Sequence, residues 1–278
     1  MPASRTYDVV LTWLQSGLRT GELRVGQRLP SERGLAERFG ISRGSVREAI
    51  RVLDAMGLVR SGVGSGPSAG AVVISEPSAA LGWGLRMHLA SRSLPVPDVV
   101  ATRITLESGA AAEAARAVGA DRDARGVGAP SVVGIAPGVE AARAGEVGET
   151  TAGTAGQGRP CRAADLLEEG ADLLAELDDP GLPDERFHAQ DAAFHLLISS
   201  LGGNVVVTTI LDSLRQATVG YVREGVLRLA DWPQVRRRLQ VQHRRILAAV
   251  VQARPEEAAA AVAEHISWFH TTAWPTPA

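Results

Sequence analysis

The sequence contains no lysine and a single cysteine, Cys161, among its 278 residues. One cysteine excludes an intrachain disulfide and any zinc site built from several cysteines. No run of about twenty uninterrupted apolar residues occurs, and the first residues lack the apolar segment of a signal peptide. We therefore expect a cytoplasmic protein that does not contact a membrane.

Length and charge indicate two parts with different tasks. A chain of 278 residues suits about two domains. Residues 1–75 contain ten arginines against six acidic residues, an excess of +4, whereas the whole chain carries −2. Because positive charge attracts the phosphate backbone, this asymmetry favours nucleic-acid binding by the first part and leaves the acidic remainder for another task.

Residues 29–59 have the pattern of two short helices joined by a turn. Ser31, which follows Pro30, can cap the first helix, Gly40 ends it, and Ser42 can cap the second. Apolar residues recur at helical spacing along one face of each helix. The opposite face of the second helix is polar and carries Arg43, Ser45, Arg47 and Arg51. Such a face is typical of a recognition helix in the major groove, although a merely solvated face is the alternative.

These motifs closely resemble the DNA-binding domain of the GntR family of bacterial regulators, from about Tyr7 to about Ile74. The resemblance rests on the opening helix, the PSER entry, the SRGSVREAI helix and the MGLV exit into a wing. It implies a winged helix-turn-helix in which the arginines of the entry and of the second helix touch DNA, with small residues between them that allow close approach. The predicted DNA-binding residues are Arg33, Ser42, Arg43, Gly44, Ser45, Arg47 and Arg51.

The rest of the chain has the periodicity of helices. Residues 76–97 read as a linker that holds one short helix, near 81–89. Amphipathic helices are predicted at 98–118, 163–177, 184–200, 204–229, 232–253 and 255–273. Residues 119–160, rich in Gly, Ala, Pro and Thr, predict a flexible insertion or a poorly ordered loop. The expected fold is mostly α: a winged helix-turn-helix domain at 1–75, a linker, and an all-helical bundle at 98–273 that the insertion interrupts.

One acidic residue and three histidines on these helices form a candidate metal site: Asp191, His195, His243 and His265. Asp191 and His195 are four residues apart and therefore project from one helix face. The set suits a divalent metal, zinc foremost and nickel or manganese as alternatives, with open positions for a ligand. An isolated Asp–His pair is more often a surface ion pair. His188 shares the same face and is either a further participant or an ordinary, partly exposed histidine.

The same segments resemble the ligand-binding domain of the FadR subfamily of GntR regulators, over about residues 98–273. The motifs that carry the resemblance are Arg103 with Leu106-Glu107, Asp191-x-x-x-His195 before Gly202-Gly203-Asn204, and the histidines at 243 and 265. It implies a metal in the middle of a helical bundle, coordinated by an acidic metabolite. Arg103 and Asn204 are then the predicted effector-binding residues. For Arg103 the alternative is an intrahelical ion pair with Glu107, four residues on.

The function predicted from these parts is that of a DNA-binding transcriptional regulator. A homodimer would read a palindromic operator in double-stranded DNA, and a small carboxylate or sugar-acid effector would relieve repression, with activation as the opposite sign. Three alternatives stay open for the helical domain: the metal itself is the signal, the metal is structural or absent, or the domain is a metal-dependent enzyme. No further acid or base of recognisable motif accompanies the four residues, so we do not expect an enzyme.

Overall fold

The structure, a computed structural model, describes residues 8–62, 70–126 and 163–275. In chain order its elements are α1 (Asp8–Thr20), α2 (Glu32–Phe39), α3 (Arg43–Ala55), β1 (Val59–Gly62), β2 (Gly70–Val73), α4 (Pro77–Ala90), α5 (Val96–Ala124), α6 (Ala163–Asp178), α7 (Asp184–Leu201), α8 (Val205–Arg228), α9 (Trp232–Val251) and α10 (Pro255–Ala273). The predicted fold class is confirmed: the fold is mostly α, with a winged helix-turn-helix followed by a helical domain.

The chain divides into two compact units. The N-terminal unit comprises the described residues 8–96 together with Asp212–Gly220, and the helical unit comprises 97–211 with 221–275. None of the helices among the described residues is both long and apolar enough to cross a membrane.

The N-terminal unit is built around a small apolar core that α1, α2, α3 and the sheet share. Fully or nearly fully buried side chains from each helix meet there, among them Leu14, Leu35, Val46 and Leu53. The two strands pair antiparallel, with Val59 opposite Val73. Residues 26–29 add backbone hydrogen bonds along β2, including Leu29 N–H to Ala71 O at 2.8 Å. Strand β1 packs beside α3, and residues 63–69, between the two strands, lie outside the described part.

The caps expected from the sequence are present at both helices of the motif. The Ser31 hydroxyl accepts a hydrogen bond from Gly34 N–H at 3.2 Å, and the Ser42 hydroxyl accepts one from Ser45 N–H at 3.0 Å. Gly40 ends α2 in the left-handed conformation, with φ of 62°. These local interactions satisfy backbone groups that a helix end leaves unpaired, and so they fix where α2 ends and α3 begins.

The helical unit consists of helices only in its described residues. Helix α6 packs against α7 and α9, and α9 packs against α10. Pro255 occupies the first turn of α10, as expected. One boundary differs from expectation: α5 continues to Ala124, past residue 119 where the insertion was predicted to begin. The alanine-rich segment 110–117 favours a helix that runs on into these residues, and the Arg125–Asp121 ion pair at 2.9 Å supports its last turn. The remainder of the predicted insertion, 127–160, lies outside the described residues.

Gly57 offers a test of the junction that follows α3. Its φ is +67°, and an added Cβ would lie 2.4 Å from the backbone oxygen of Glu76. Gly40 has a similar φ of +62° but open space around the added Cβ. We expect Gly40→Ala to cost about 1–2 kcal/mol in backbone strain and Gly57→Ala to cost about 1–3 kcal/mol more, because the overlap is with backbone.

Amide hydrogen exchange of α3 and β1 in the full chain measures both losses as free energies of local opening. Equal losses in the two variants would contradict the close approach of Gly57 to Glu76.

Candidate functional site

The first candidate surface is the exposed face of α2 and α3. Arg43, Arg47 and Arg51 project from α3, and Arg33 lies on the first turn of α2; all four are exposed. Ser42 and Ser45 stand at the start of α3, where their hydroxyl oxygens are 3.0 Å apart, and Gly44 between them is exposed. Ser42, Arg43, Gly44, Ser45 and Arg47 therefore lie at the N-cap and first two turns of α3, whereas Arg51 lies one turn further along it and Arg33 lies on α2.

Three of these arginines are held by carboxylates of their own unit. Arg47 on α3 contacts Glu32 on α2 at 3.1 Å, Arg33 contacts Glu37 at 2.8 Å, and Arg51 contacts Glu48 at 3.8 Å. Exposed ion pairs of this kind contribute little to stability, about 0–1 kcal/mol each. They orient the guanidinium groups but bind them weakly, so a phosphate or a base edge can replace the carboxylate.

The second candidate site lies inside the helical unit, where four side chains converge from three helices. Asp191 and His195 come from α7, His243 from α9 and His265 from α10. One potential ligand atom from each residue lies within 4.8 Å of all the others. His195 Nε2 is 3.0 Å from His265 Nε2, and His243 Nε2 is 3.0 Å from Asp191 Oδ1. The structure thus brings together all four residues that the sequence singled out.

Burial makes this cluster unusual. His195, His243 and His265 are at most 5% exposed. Burial, followed by the neighbouring His243 and His195, lowers the pKa of His265 well below its ordinary value. Burial alone would raise the pKa of the Asp191 carboxyl, but the adjoining His243 and the other two imidazoles outweigh it and lower that pKa. Near neutral pH, His265 is therefore neutral and Asp191 ionised, which are the protonation states that bind metals.

Two further buried side chains contact the cluster from outside. Glu107 on α5 places Oε2 2.9 Å from His195 Nδ1. Gln242 on α9 places Oε1 3.1 Å from His265 Nδ1. The sequence marked Glu107 as a motif residue and as a candidate ion-pair partner of Arg103, and it did not mark Gln242. Helical periodicity could have marked both as buried polar residues, but no sequence signal tells which histidine each one meets.

The donor set fits a divalent metal ion. Three imidazoles and one carboxylate are a ligand set typical of zinc and other borderline metals. Within the part of the chain that the structure describes, neither ring nitrogen of the fully buried His243 has a hydrogen bond of acceptable geometry. A buried imidazole without such a partner costs free energy, and coordination to a metal would remove that cost.

Comparison with known proteins identifies both halves of the chain. Residues 6–67 match the model of the bacterial regulatory proteins, gntR family, and residues 149–267 match that of the FCD domain. The chain belongs to the GntR family. With a GntR-type domain at its amino terminus, it is a DNA-binding transcriptional regulator.

Full-length relatives agree with this GntR assignment. The Glc operon transcriptional activator of Escherichia coli K12 is 28% identical over 93% of this chain and 85% of its own. The HTH-type transcriptional regulator LutR of Bacillus subtilis is 25% identical over 90% of this chain and 93% of its own. A solved structure, Streptococcus agalactiae GntR, shares the fold with a TM-score of 0.51 at 20% identity, over 95% of this chain and 96% of that one. The family and these relatives are regulators and not enzymes.

For Arg103, the structure shows the intrahelical alternative. Its Nε donates to Glu107 Oε1 at 2.9 Å, and both side chains are largely buried, at 15% and 2% exposed. The same Glu107 carboxylate contacts His195 through its other oxygen. Arg103 is therefore linked to the histidine cluster through Glu107.

Asn204, predicted to bind an effector, caps a helix in the structure. Its side-chain oxygen accepts hydrogen bonds from the backbone N–H groups of Val206 and Val207, at 3.1 and 3.2 Å, and so caps α8. An asparagine after a glycine turn is a strong helix N-cap, which accounts for the residue without an effector. His188 also lies outside the cluster: its ring packs beside Trp232 with centroids 5.2 Å apart.

The capping role of Asn204 predicts different outcomes for two substitutions. Asn204→Ala removes the acceptor and is expected to weaken the first turn of α8 by about 1 kcal/mol, whereas Asn204→Asp keeps an acceptor oxygen and preserves it. Exchange rates of the Val206 and Val207 amides measure the difference. Equal acceleration in both variants would show that the amide group of Asn204, and not its oxygen, matters there.

Proposed function

We propose that this chain is a metabolite-responsive regulator of the FadR subfamily, with a DNA-binding domain at 1–75 and an effector domain at 98–273. A small carboxylate bound at a divalent metal in the helical domain sets its affinity for an operator in the cytoplasm. A homodimer reads a palindromic site, since two-fold protein symmetry matches two-fold DNA. The effector relieves repression. The Escherichia coli relative is named as an activator, so the DNA-binding assay must detect both a decrease and an increase in operator affinity when effector is added.

The observation that carries the proposal is the convergence of four ligand atoms in the protein interior. Asp191, His195, His243 and His265 would hold the metal, which supplies a Lewis acid with a coordination position for a carboxylate oxygen. Zinc is the first candidate, and nickel and manganese follow. Each ligand side chain is already placed by a packed helix, so binding the ion requires little reordering.

Charge favours an anionic effector at this site. The ionised groups are Asp191, Glu107 and Arg103, which together carry a formal charge of −1 when the histidines are neutral. A divalent ion changes this sum to +1. A net positive, largely buried centre attracts a carboxylate, because its charge is poorly screened there. The terminal nitrogens of Arg103, whose Nε is engaged by Glu107, are the donors left for the second carboxylate oxygen.

Binding of DNA is proposed to use the exposed face of α2 and α3. Replacing Arg43 or Arg47 by alanine is expected to weaken operator affinity by about 1–3 kcal/mol, as loss of a base-edge contact does. Glu32→Gln is expected to strengthen it, because that carboxylate competes for Arg47. The matched control is Arg19→Ala, which removes an exposed arginine at the end of α1.

The measurement is affinity at one fixed salt concentration, on a duplex selected by the wild-type protein from a random pool. A loss for Arg19→Ala as large as that for Arg47→Ala would indicate diffuse charge attraction and would contradict the role of α3.

Metal content and effector response test the helical domain. Protein purified without a nickel step is expected to hold about one divalent ion per chain. The double substitution His195→Ala, His243→Ala should abolish it, and His88→Ala, an exposed histidine of the N-terminal unit, should not. A panel of small carboxylic acids is then screened for release of DNA by the metal-loaded protein, and the response should vanish in His243→Ala.

The outcomes separate the alternatives. Absence of metal from the wild type would refute the metal site and leave an organic ligand acting alone. A change in DNA affinity on adding metal without any acid would make the metal itself the signal. An acid response that persists in His243→Ala would refute the role of the metal in sensing.

A further inference from the structure

We propose that Glu107 and Gln242 are positioning residues that hold a proton on Nδ1 of His195 and His265, so that both imidazoles present Nε2 to the metal. The inference rests on the proposed metal site. It assigns a task to two buried residues that lie outside the ligand set and contact it only through the histidines.

Glu107 can only accept a hydrogen bond from His195. Its side chain is 2% exposed, with Oε1 accepting from Arg103 Nε and Oε2 lying 2.9 Å from His195 Nδ1. The Arg103 guanidinium favours the ionised carboxylate, and an ionised carboxylate has acceptors but no donor. His195 Nδ1 therefore carries the hydrogen. In a neutral imidazole the lone pair then lies on Nε2.

Gln242 performs the same task for His265 with a neutral group. Its Oε1 lies 3.1 Å from His265 Nδ1, so the amide oxygen accepts and Nδ1 again carries the hydrogen. The two histidines come from different helices and are held by residues of two further segments of sequence. The arrangement is thus the same at both, although the acceptors are a carboxylate on α5 and an amide on α9.

The consequence is a close approach of two lone pairs. His195 Nε2 and His265 Nε2 are 3.0 Å apart. When both imidazoles are neutral and their hydrogens lie on the Nδ1 atoms, neither Nε2 can donate to the other, and the two lone pairs repel. A cation that both nitrogens coordinate removes this repulsion. The tautomers set by Glu107 and Gln242 therefore favour the metal-bound state over the metal-free one.

His243 provides an internal contrast. Among the described residues its Nδ1 has no hydrogen-bond acceptor, although its Nε2 lies 3.0 Å from Asp191 Oδ1. The described part of the protein thus supplies an acceptor for Nδ1 of two imidazoles and none for Nδ1 of the third. Variants at Glu107 should change the signals of His195 and leave those of His243 nearly unchanged.

The first measurement needs no variant. Long-range ¹H–¹⁵N spectra of the zinc-loaded wild-type protein, labelled at histidine, report which ring nitrogen carries the hydrogen. We expect a hydrogen on Nδ1 and zinc on Nε2 for both His195 and His265. Coordination of either histidine through Nδ1 would overturn the proposal for that histidine.

The second measurement is zinc affinity by competition with a chelator. Glu107→Leu and Gln242→Leu, which remove the acceptors, are each expected to lower affinity roughly 10- to 100-fold. Glu107→Gln, which keeps one acceptor oxygen for two donors, should fall between Glu107→Leu and wild type. The matched control is Glu113→Gln on the same helix, where Glu113 is exposed and pairs with Arg116; its affinity should equal that of wild type.

Failure of this inference can be told from failure of the proposed function. Wild-type protein that binds no zinc refutes the metal site and the inference with it. Wild-type protein that binds zinc while folded Glu107→Leu binds it equally well refutes the inference alone. If Glu107→Leu does not fold, the wild-type tautomers and the Glu107→Gln spectrum decide, because a purely structural role for Glu107 would leave the His195 tautomer unchanged.

Discussion

Three imidazoles and the Glu107 carboxylate are buried in the helical unit. A buried polar group left without a partner costs about 1–3 kcal/mol, so the helices must be arranged in the way that gives these groups partners. Three close polar contacts of the cluster each join two helices. Glu107 with His195 joins α5 to α7, Asp191 with His243 joins α7 to α9, and Gln242 with His265 joins α9 to α10. Sliding any helix by one turn, about 5.4 Å, would break at least one of them. The candidate site is therefore also what aligns the helices.

That dual role explains why the site can exist before any ligand arrives. Phe194, adjacent to His195 on α7, is fully buried and packs its ring 5.0 Å from that of His243. Gly202 brings α7 close to α5, where an added Cβ would lie 2.9 Å from Ala110 O. Apolar packing and close backbone approach thus fix the same helices that the polar contacts align. A binding site held by both kinds of interaction loses little conformational freedom when it is occupied.

Local signals could be predicted from the sequence, and contacts between distant residues could not. Ser31 and Ser42 cap neighbouring backbone N–H groups and Pro255 occupies the first turn of α10, so these helix starts follow from a few residues of sequence. The four candidate ligands were found because helical spacing and a family resemblance marked them. Gln242 was missed because its partner is 23 residues away on another helix. For Arg103 the sequence left an effector contact and an ion pair with Glu107 as alternatives, and the structure contains the ion pair. For Asn204 only effector binding was predicted, and the structure shows its side chain capping α8.

The pairing of Arg47 with Glu32 reduces the effective positive charge of the proposed DNA-binding face. An arginine whose charge is already balanced by a carboxylate draws fewer counterions to the protein, and it must give up that partner when it meets a phosphate. Each such exchange replaces one protein–protein contact by a protein–DNA contact with a small net gain. Nonspecific adhesion to DNA should therefore be weaker, and less sensitive to ionic strength, than the number of arginines suggests. Discrimination among sequences then depends more on the fit of α3 to its base pairs than on bulk attraction.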